Sequence, residues 1–381
     1  MSFPPQYEPL PTSENHDEVP SFVVRPRYQK NRKRKLVLRT LGVALIMLLA
    51  FMGVRHFARS SKLAQGMCGS CKCSQRNSST ISKLPSHYTL PSGDQIPSVA
   101  LGVWQASKGE VGAAVKAALK SGYRHIDDAW AYHNEEEVGQ AIRESAVPRD
   151  QIWITSKLWN TFHAPEDVES ALDDSLTKLG TDYLDLYLIH WPIAFKKDSN
   201  NVLEESLTSD PYPTWQKLEE MVEKGKVRNI GISNFNIPRI KNLTANPLKI
   251  QPAVNQVELN FWNPQPELLK WSKENNLLLE SYSPLGSNKQ VGNTLSIPEV
   301  KDIACELGIT AAQVIISWHV QRGTIVLPKS VTPSRVEENY HIFELPQDAF
   351  DTIERLAAAH PPKRVVNPSK SWGLNFDIFD D

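Results

Sequence analysis

From about Ser86 to the end of the chain, short apolar runs alternate with segments whose apolar positions recur at helical spacing. The runs fall at residues 99–103, 124–127, 152–156, 184–189, 227–232, 253–257, 277–280 and 324–327. Helical periodicity is clear at 111–120, 165–179, 214–224 and 311–321. Eight strands, each followed by a helix across roughly 300 residues, predict a closed (β/α)8 TIM barrel of the α/β class over 86–381, because an open sheet seldom sustains so many regular βα units. No Gly-x-Gly-x-x-Gly follows any of the runs, which weakens a doubly wound dinucleotide fold.

The first 85 residues read differently. Residues 1–24 are rich in Pro, Ser, Glu and Asn without apolar periodicity, and such a segment buries too little surface to offset its chain entropy. A disordered tail over 1–35 ends in the basic run Arg25, Arg27, Lys30, Arg32, Lys33, Arg34 and Lys35. The stretch 36–54 is apolar on all sides apart from Arg39 and Thr40, so a single transmembrane helix is expected there, with Arg39 snorkelling from one end. Four basic residues, Arg55, Arg59, Lys62 and Lys72, follow in the next twenty positions against seven before the span, which favours a cytoplasmic N-terminus and a lumenal or external barrel. The glycosylation patterns at Asn77 and Asn242 suit that side. A cytoplasmic enzyme results if translation starts at Met67. Residues 55–85 read as a linker in which Cys68, Cys71 and Cys73 are lipidated or oxidised, since three thiols alone do not close a tetrahedral metal site.

A net charge of -1 argues against nucleic acid as a partner, because neutralising many phosphates requires a basic excess. With only Cys305 beyond the linker, the barrel is no disulfide scaffold. His163 and His190 lack ligands at metal-like spacing, so no metal is implied.

Catalytic groups of such barrels come from the C-terminal ends of strands. Asp127 ends the second run with Tyr132 just beyond, Lys157 follows the third, and His190 follows the fourth in Leu188-Ile189-His190-Trp191-Pro192. A carbonyl that accepts hydride needs an acid for the developing alkoxide. A tyrosine at its ordinary pKa of about 10 is a weak one, and an ammonium such as Lys157, held by Asp127, lowers that value. His190 is placed to orient the carbonyl oxygen.

The run Gly122-Tyr123-Arg124-His125-Ile126-Asp127 with Ala129, Tyr132, Asn134 and Glu135 resembles the signature of the aldo-keto reductase family. Thr155-Ser156-Lys157-Leu158-Trp159, Gly231-Ile232-Ser233-Asn234-Phe235, Asn255-Gln256-Val257-Glu258 and Leu327-Pro328-Lys329-Ser330 extend the resemblance from about Tyr88 to the end. It implies a catalytic tetrad of Asp127, Tyr132, Lys157 and His190, with Tyr132 the general acid. Asp128 departs from the family, whose members usually carry Ser, Thr or Cys there; a second carboxylate raises the cost of ionising Asp127 or Tyr132 unless it points away to a helix or to solvent.

The resemblance also implies NADPH as cofactor. It places Ser233, Asn234 and Gln256 on the nicotinamide carboxamide, Tyr282 under the ring, and Ser283 and Leu285 along the pyrophosphate. Lys329, Ser330, Thr332 and Arg335 fall to the 2′-phosphate, a dianion suited to a helix N-terminus and a guanidinium, and Glu338 and Asn339 to the adenine. Trp104, Trp159 and Trp191 look like the apolar wall of the substrate pocket. The expected activity is reduction of aldehydes or ketones by a monomer. The C-terminal run Asn367-Pro368-Ser369-Lys370-Ser371-Trp372-Gly373 looks like that of fungal members acting on small carbonyls. The rival expectation is a membrane-bound subunit that senses nicotinamide without turnover.

Overall fold

The computed structural model describes residues 84–379. The tail expected over 1–35, the span over 36–54, nearly all of the linker over 55–85, the three clustered cysteines and Asn77 lie outside the described residues. Among those described, no single helix is long and apolar enough to cross a membrane.

An antiparallel hairpin, β1 (His87–Thr89) and β2 (Gln95–Pro97), precedes eight parallel strands. These are β3 (Leu101–Gly102), β4 (His125–Asp127), β5 (Trp153–Leu158), β6 (Leu184–Ile189), β7 (Val227–Ser233), β8 (Val254–Glu258), β9 (Leu278–Tyr282) and β10 (Ile325–Leu327). Each pairs with its neighbour in sequence. A parallel bridge between Val99 and Val326, with Ala100 N donating to Val326 O at 2.9 Å and Gly102 N to Pro328 O at 3.2 Å, closes the cylinder. All eight expected runs therefore become barrel strands, the first contracted to two residues and one bridge.

The helices are α1 (Glu110–Ser121), α2 (Glu135–Glu144), α3 (Pro165–Leu179), α4 (Glu205–Ser209), α5 (Tyr212–Glu223), α6 (Ile237–Thr244), α7 (Pro266–Glu274), α8 (Ser287–Thr294), α9 (Pro298–Leu307), α10 (Ala311–Gln321), α11 (Pro333–Tyr340) and α12 (Gln347–Ala358). Local chemistry sets several ends. Pro165 supplies a pre-set φ where a helix needs no N–H, and Gly180, in the left-handed region at φ 66°, returns its N–H to Leu176 O and Thr177 O. Thr310 and Gln313 form a capping box at the start of α10. Gly139 lets α2 lie against the end of α3, since a Cβ there would collide with the Leu179 carbonyl.

Strands covered on both faces are rich in apolar residues, and β6 is buried at all of its positions, its one charged residue, Asp185, paired with Arg149. One core lies between the strands and the helices; a second, with Ile96, Leu186, Leu188, Val254 and Ile325, fills the barrel from below. The hairpin belongs to this second core. Ser92 donates to Asn229 Oδ1 at 2.6 Å and Asn229 to Asp94 Oδ2 at 2.7 Å, so the hairpin plugs the N-terminal end of the barrel. It lies outside the eight runs expected from the sequence. Toward the opposite end the interior turns polar, with Asp127, Lys157, Gln256 and Glu280 all buried.

Candidate active site

Side chains alternate across a strand, so Asp127 and Lys157 face the interior while Asp128 and Ser156 face the surrounding helices. Tyr132 follows β4 on a single 3₁₀ turn, Trp130–Tyr132. His190 follows β6, its N–H bonded to Leu158 O at 3.1 Å. The four expected tetrad residues thus come together at the C-terminal mouth.

Lys157 is fully buried, and its Nζ donates to Asp127 Oδ1 at 2.8 Å, to Asp128 O at 2.8 Å and to the Tyr132 hydroxyl oxygen at 3.3 Å. These three bonds use every hydrogen of the ammonium. The Tyr132 oxygen accepts from Lys157, so its own hydrogen is left to point elsewhere. Burial pulls the Lys157 pKa down, but Asp127 and Tyr132 outweigh it and the net direction is up, which keeps the ammonium charged.

For Tyr132 the structure corrects the sequence expectation. Lys157 does lower its pKa, but burial is the larger effect and the phenol is pushed up to about 12. It therefore holds its proton throughout the neutral range. An alkoxide is more basic still, so transfer to it stays downhill.

Burial, reinforced by the positive charge of Lys157, holds His190 well below the usual imidazole range. The ring is neutral and packs edge-on against Tyr132 and Trp159, with centroids 5.8 and 5.3 Å away, and its buried Nδ1 has no partner. A neutral imidazole can present an N–H to a carbonyl oxygen.

Asp128 turns toward α2, as one of the two expected orientations had it, but it is wholly buried rather than solvated. Its Oδ1 accepts from Ala129 N at 2.8 Å, while burial, with the carboxyl of Glu135 nearby, raises its pKa well above the carboxylate range.

The expected cofactor residues divide into two groups. Ser233 Oγ donates to Gln256 O at 2.8 Å, Asn234 Nδ2 to His190 O at 2.9 Å, and the half-buried Tyr282 hydroxyl to Asn234 Oδ1 at 2.8 Å. Gln256 Nε2 reaches Asp127 Oδ1 at 2.7 Å, so this group abuts the tetrad. Ser283 and Leu285 continue from Tyr282, both half-buried. Lys329, Thr332 and Arg335 are exposed around the start of α11, with Ser330 half-buried beside them, and the Thr332 side chain makes no cap bond. An uncapped helix N-terminus between two cations is suited to a phosphate. With an amide, a hydroxyl and a planar ring by the tetrad, the donor set fits a nicotinamide dinucleotide phosphate. Glu338 accepts from Thr310 Oγ at 2.8 Å, and Asn339 is buried.

Trp159 and Trp191 do stand beside His190. Trp372, not singled out in the sequence, completes their wall, with centroids 5.9 Å from Trp159 and 5.1 Å from Trp191. The C-terminal segment carrying it is held by the buried Glu258, whose carboxylate accepts from Val365 N at 2.9 Å and Val366 N at 2.7 Å. Trp104 is 42% exposed and joins no aromatic pair among the described residues. Asn242 lies exposed in α6, with one amide hydrogen donated to Ser209 O at 2.8 Å.

Comparison with known proteins agrees with this geometry. Residues 98–358 match the Aldo/keto reductase family. The chain is 43% identical over 309 residues to a glycerol 2-dehydrogenase (NADP(+)) of Hypocrea jecorina, covering 76% of this chain and 96% of the relative. It is 42% identical over 315 residues to an aldehyde reductase of Saccharomyces cerevisiae, covering 79% and 99%. Among solved structures, the aldose reductase from Schistosoma japonicum superposes with a TM-score of 0.71 at 37% identity, covering 77% of this chain and 99% of that one.

Proposed function

Since the chain belongs to the aldo/keto reductase family, we propose that it is an NADPH-dependent oxidoreductase that reduces aldehydes or ketones to alcohols, with Tyr132 as the proton donor. The observation that carries this reading is the saturation of the Lys157 ammonium by Asp127, the Asp128 carbonyl and Tyr132, which leaves the phenol hydrogen free to be given away. The names of the relatives, an NADP(+)-dependent dehydrogenase and an aldehyde reductase, support the cofactor and the reaction class.

When bound, NADPH supplies the hydride that adds to the carbonyl carbon. The chain's own residues manage the oxygen. His190, neutral, donates a hydrogen bond to it and fixes its direction. Tyr132 then gives its proton to the oxygen as negative charge develops there, and Lys157 stabilises the phenolate left behind. Asp127 keeps the ammonium in place. Trp159, Trp191 and Trp372 exclude water from the carbonyl and favour substrates with an apolar body. Ser233, Asn234, Gln256 and Tyr282 would hold the nicotinamide end, and Lys329, Ser330, Thr332 and Arg335 the 2′-phosphate.

The test is direct: full-length protein is given NADPH with a panel of small and aromatic aldehydes, and nicotinamide absorbance is followed together with alcohol formation. Equal consumption and formation are expected, whereas NADPH binding without turnover on any member would favour the sensing subunit. The reading also places the barrel behind an N-terminal anchor at residues 36–54, on the lumenal side. Proteolysis of the barrel from the cytosolic face of sealed microsomes would overturn that placement.

A further inference from the structure

The chemistry above leaves unused the fully buried carboxyl of Glu280 in the barrel interior. Glu280 precedes Tyr282 by two positions on β9, so both side chains lie on the same face of the strand. Its Oε2 accepts from Gln256 Nε2 at 2.9 Å, and the same nitrogen donates to Asp127 Oδ1 at 2.7 Å. Asp127 in turn takes its bond from Lys157, which reaches Tyr132. An unbroken chain of hydrogen bonds thus joins Glu280 to the proton donor. The other oxygen, Oε1, is buried and has no partner.

Two consequences follow from this placement. Only the N–H₂ end of an amide can face two carboxyl oxygens when one of them belongs to the ion-paired Asp127. Both amide hydrogens of Gln256 are therefore committed, its plane is fixed, and its carbonyl oxygen is the part left to bind anything else. The second consequence concerns charge. The charged groups facing Glu280 are Asp127 on β4 and Lys157 on β5, which offset each other. Its strand partners, Gln256 on β8 and Ile325 on β10, bring none. With His190 and Tyr132 neutral, one proton on Glu280 decides whether this buried group carries no net charge or one negative charge. Burial, and then Asp127, push its pKa up to about 8.

We propose that Glu280 is a positioning residue that acts through Gln256: it turns the Gln256 carbonyl oxygen toward the nicotinamide carboxamide, and by losing its proton it shifts the site's preference from the reduced to the oxidised cofactor. The inference rests on the NADPH reading above. An oxidised nicotinamide ring is cationic and a reduced one neutral, so an anion behind Gln256 favours the former.

The experiment measures dissociation constants of NADPH and NADP(+) by tryptophan quenching, with the full chain and its Glu280→Gln variant, at about pH 6.5 and about pH 9.5. Ionisations of the cofactor phosphates and of surface groups are shared by both forms and cancel in the ratio. The wild-type ratio is expected to move toward NADP(+) by about tenfold as pH rises, the scale of one charge acting within a protein interior. In Glu280→Gln it stays flat, and a second uncharged variant, Glu280→Thr, behaves alike should Glu280→Gln fold poorly. A wild-type shift below about twofold, or an equal shift in the uncharged variants, overturns the proposal. Failure of the wild type to bind either form would sink the cofactor reading itself, and this inference with it.

Discussion

Asp128 and Glu135 bury their carboxyl groups on the outer face of the barrel wall, within electrostatic reach of each other, and Asp128 leaves its Oδ2 without a hydrogen-bond partner. Glu135 Oε1 accepts from Ser156 Oγ at 2.7 Å, the buried Ser175 hydroxyl also bonds this carboxyl, and the buried Tyr187 hydroxyl nearby has no hydrogen-bond partner. Both carboxyl pKa values are raised, chiefly by burial.

The folded chain therefore keeps a proton on Asp128 at pH values where the unfolded chain has released it. Stability from this source is present in full below about pH 4 and declines as pH rises toward the folded-state pKa. Asp128→Thr removes the orphaned oxygen, whose burial costs about 1–3 kcal/mol. Thermal unfolding should show a gain of a few degrees at pH 8 and a flatter dependence on pH than the wild type; a lower Tm in the variant would contradict this.

Lys157→Met leaves Asp127 buried without its cation, which should cost about 3–5 kcal/mol of stability. Adding Asp127→Asn should restore much of that loss by removing the stranded charge, yet activity should stay near background, because nothing then stabilises the phenolate. Denaturant unfolding and turnover measured on the same three proteins separate the two effects.

The phosphate site proposed at α11 predicts a selective loss. Lys329→Ala with Arg335→Ala should lower kcat/KM for NADPH by about 1.5–3 kcal/mol per lost charge-assisted bond while leaving NADH nearly unchanged. An unaltered ratio of the two efficiencies would remove these residues from the 2′-phosphate.

Glu258 tests the pocket wall. Replacing it with Gln weakens two charge-assisted bonds to the backbone at 365–366. The C-terminal segment should become sensitive to proteolysis and KM for aromatic aldehydes should rise several-fold, with a smaller change for glyceraldehyde-sized substrates. Equal effects on both substrate sizes would show that the segment does not shape the pocket.

How much of this was legible in the chain depended on what each element's residues had to satisfy. β6, α3 and α10 end where their apolar patterns end, because burial on both faces of a strand, a proline start or a capping box fixes the boundary locally. The hairpin of β1 and β2 is three residues a side, and only Ile96 and Leu90 betray its role as a plug, which long-range packing decides. The tetrad was visible because long motifs surround it. Glu280 was not, although an acid two positions before Tyr282 on an interior face was the available signal. Trp372 and Glu258 meet the site only through the return of the chain terminus, which no local pattern records. The rise in the Tyr132 pKa likewise follows from burial rather than from the lysine that the spacing revealed.

The central claim is that the Tyr132 hydroxyl supplies the proton. Tyr132→Phe keeps the ring between Lys157 and His190 and removes only that hydroxyl. Single-turnover reduction of an aromatic aldehyde by the NADPH-loaded variant should slow on the order of 10³-fold, with fold and NADPH affinity retained. In the wild type, alcohol oxidation, which needs the phenolate, should climb with pH toward about 12. A Tyr132→Phe protein that reduces the aldehyde within a few-fold of the wild-type rate would contradict the account.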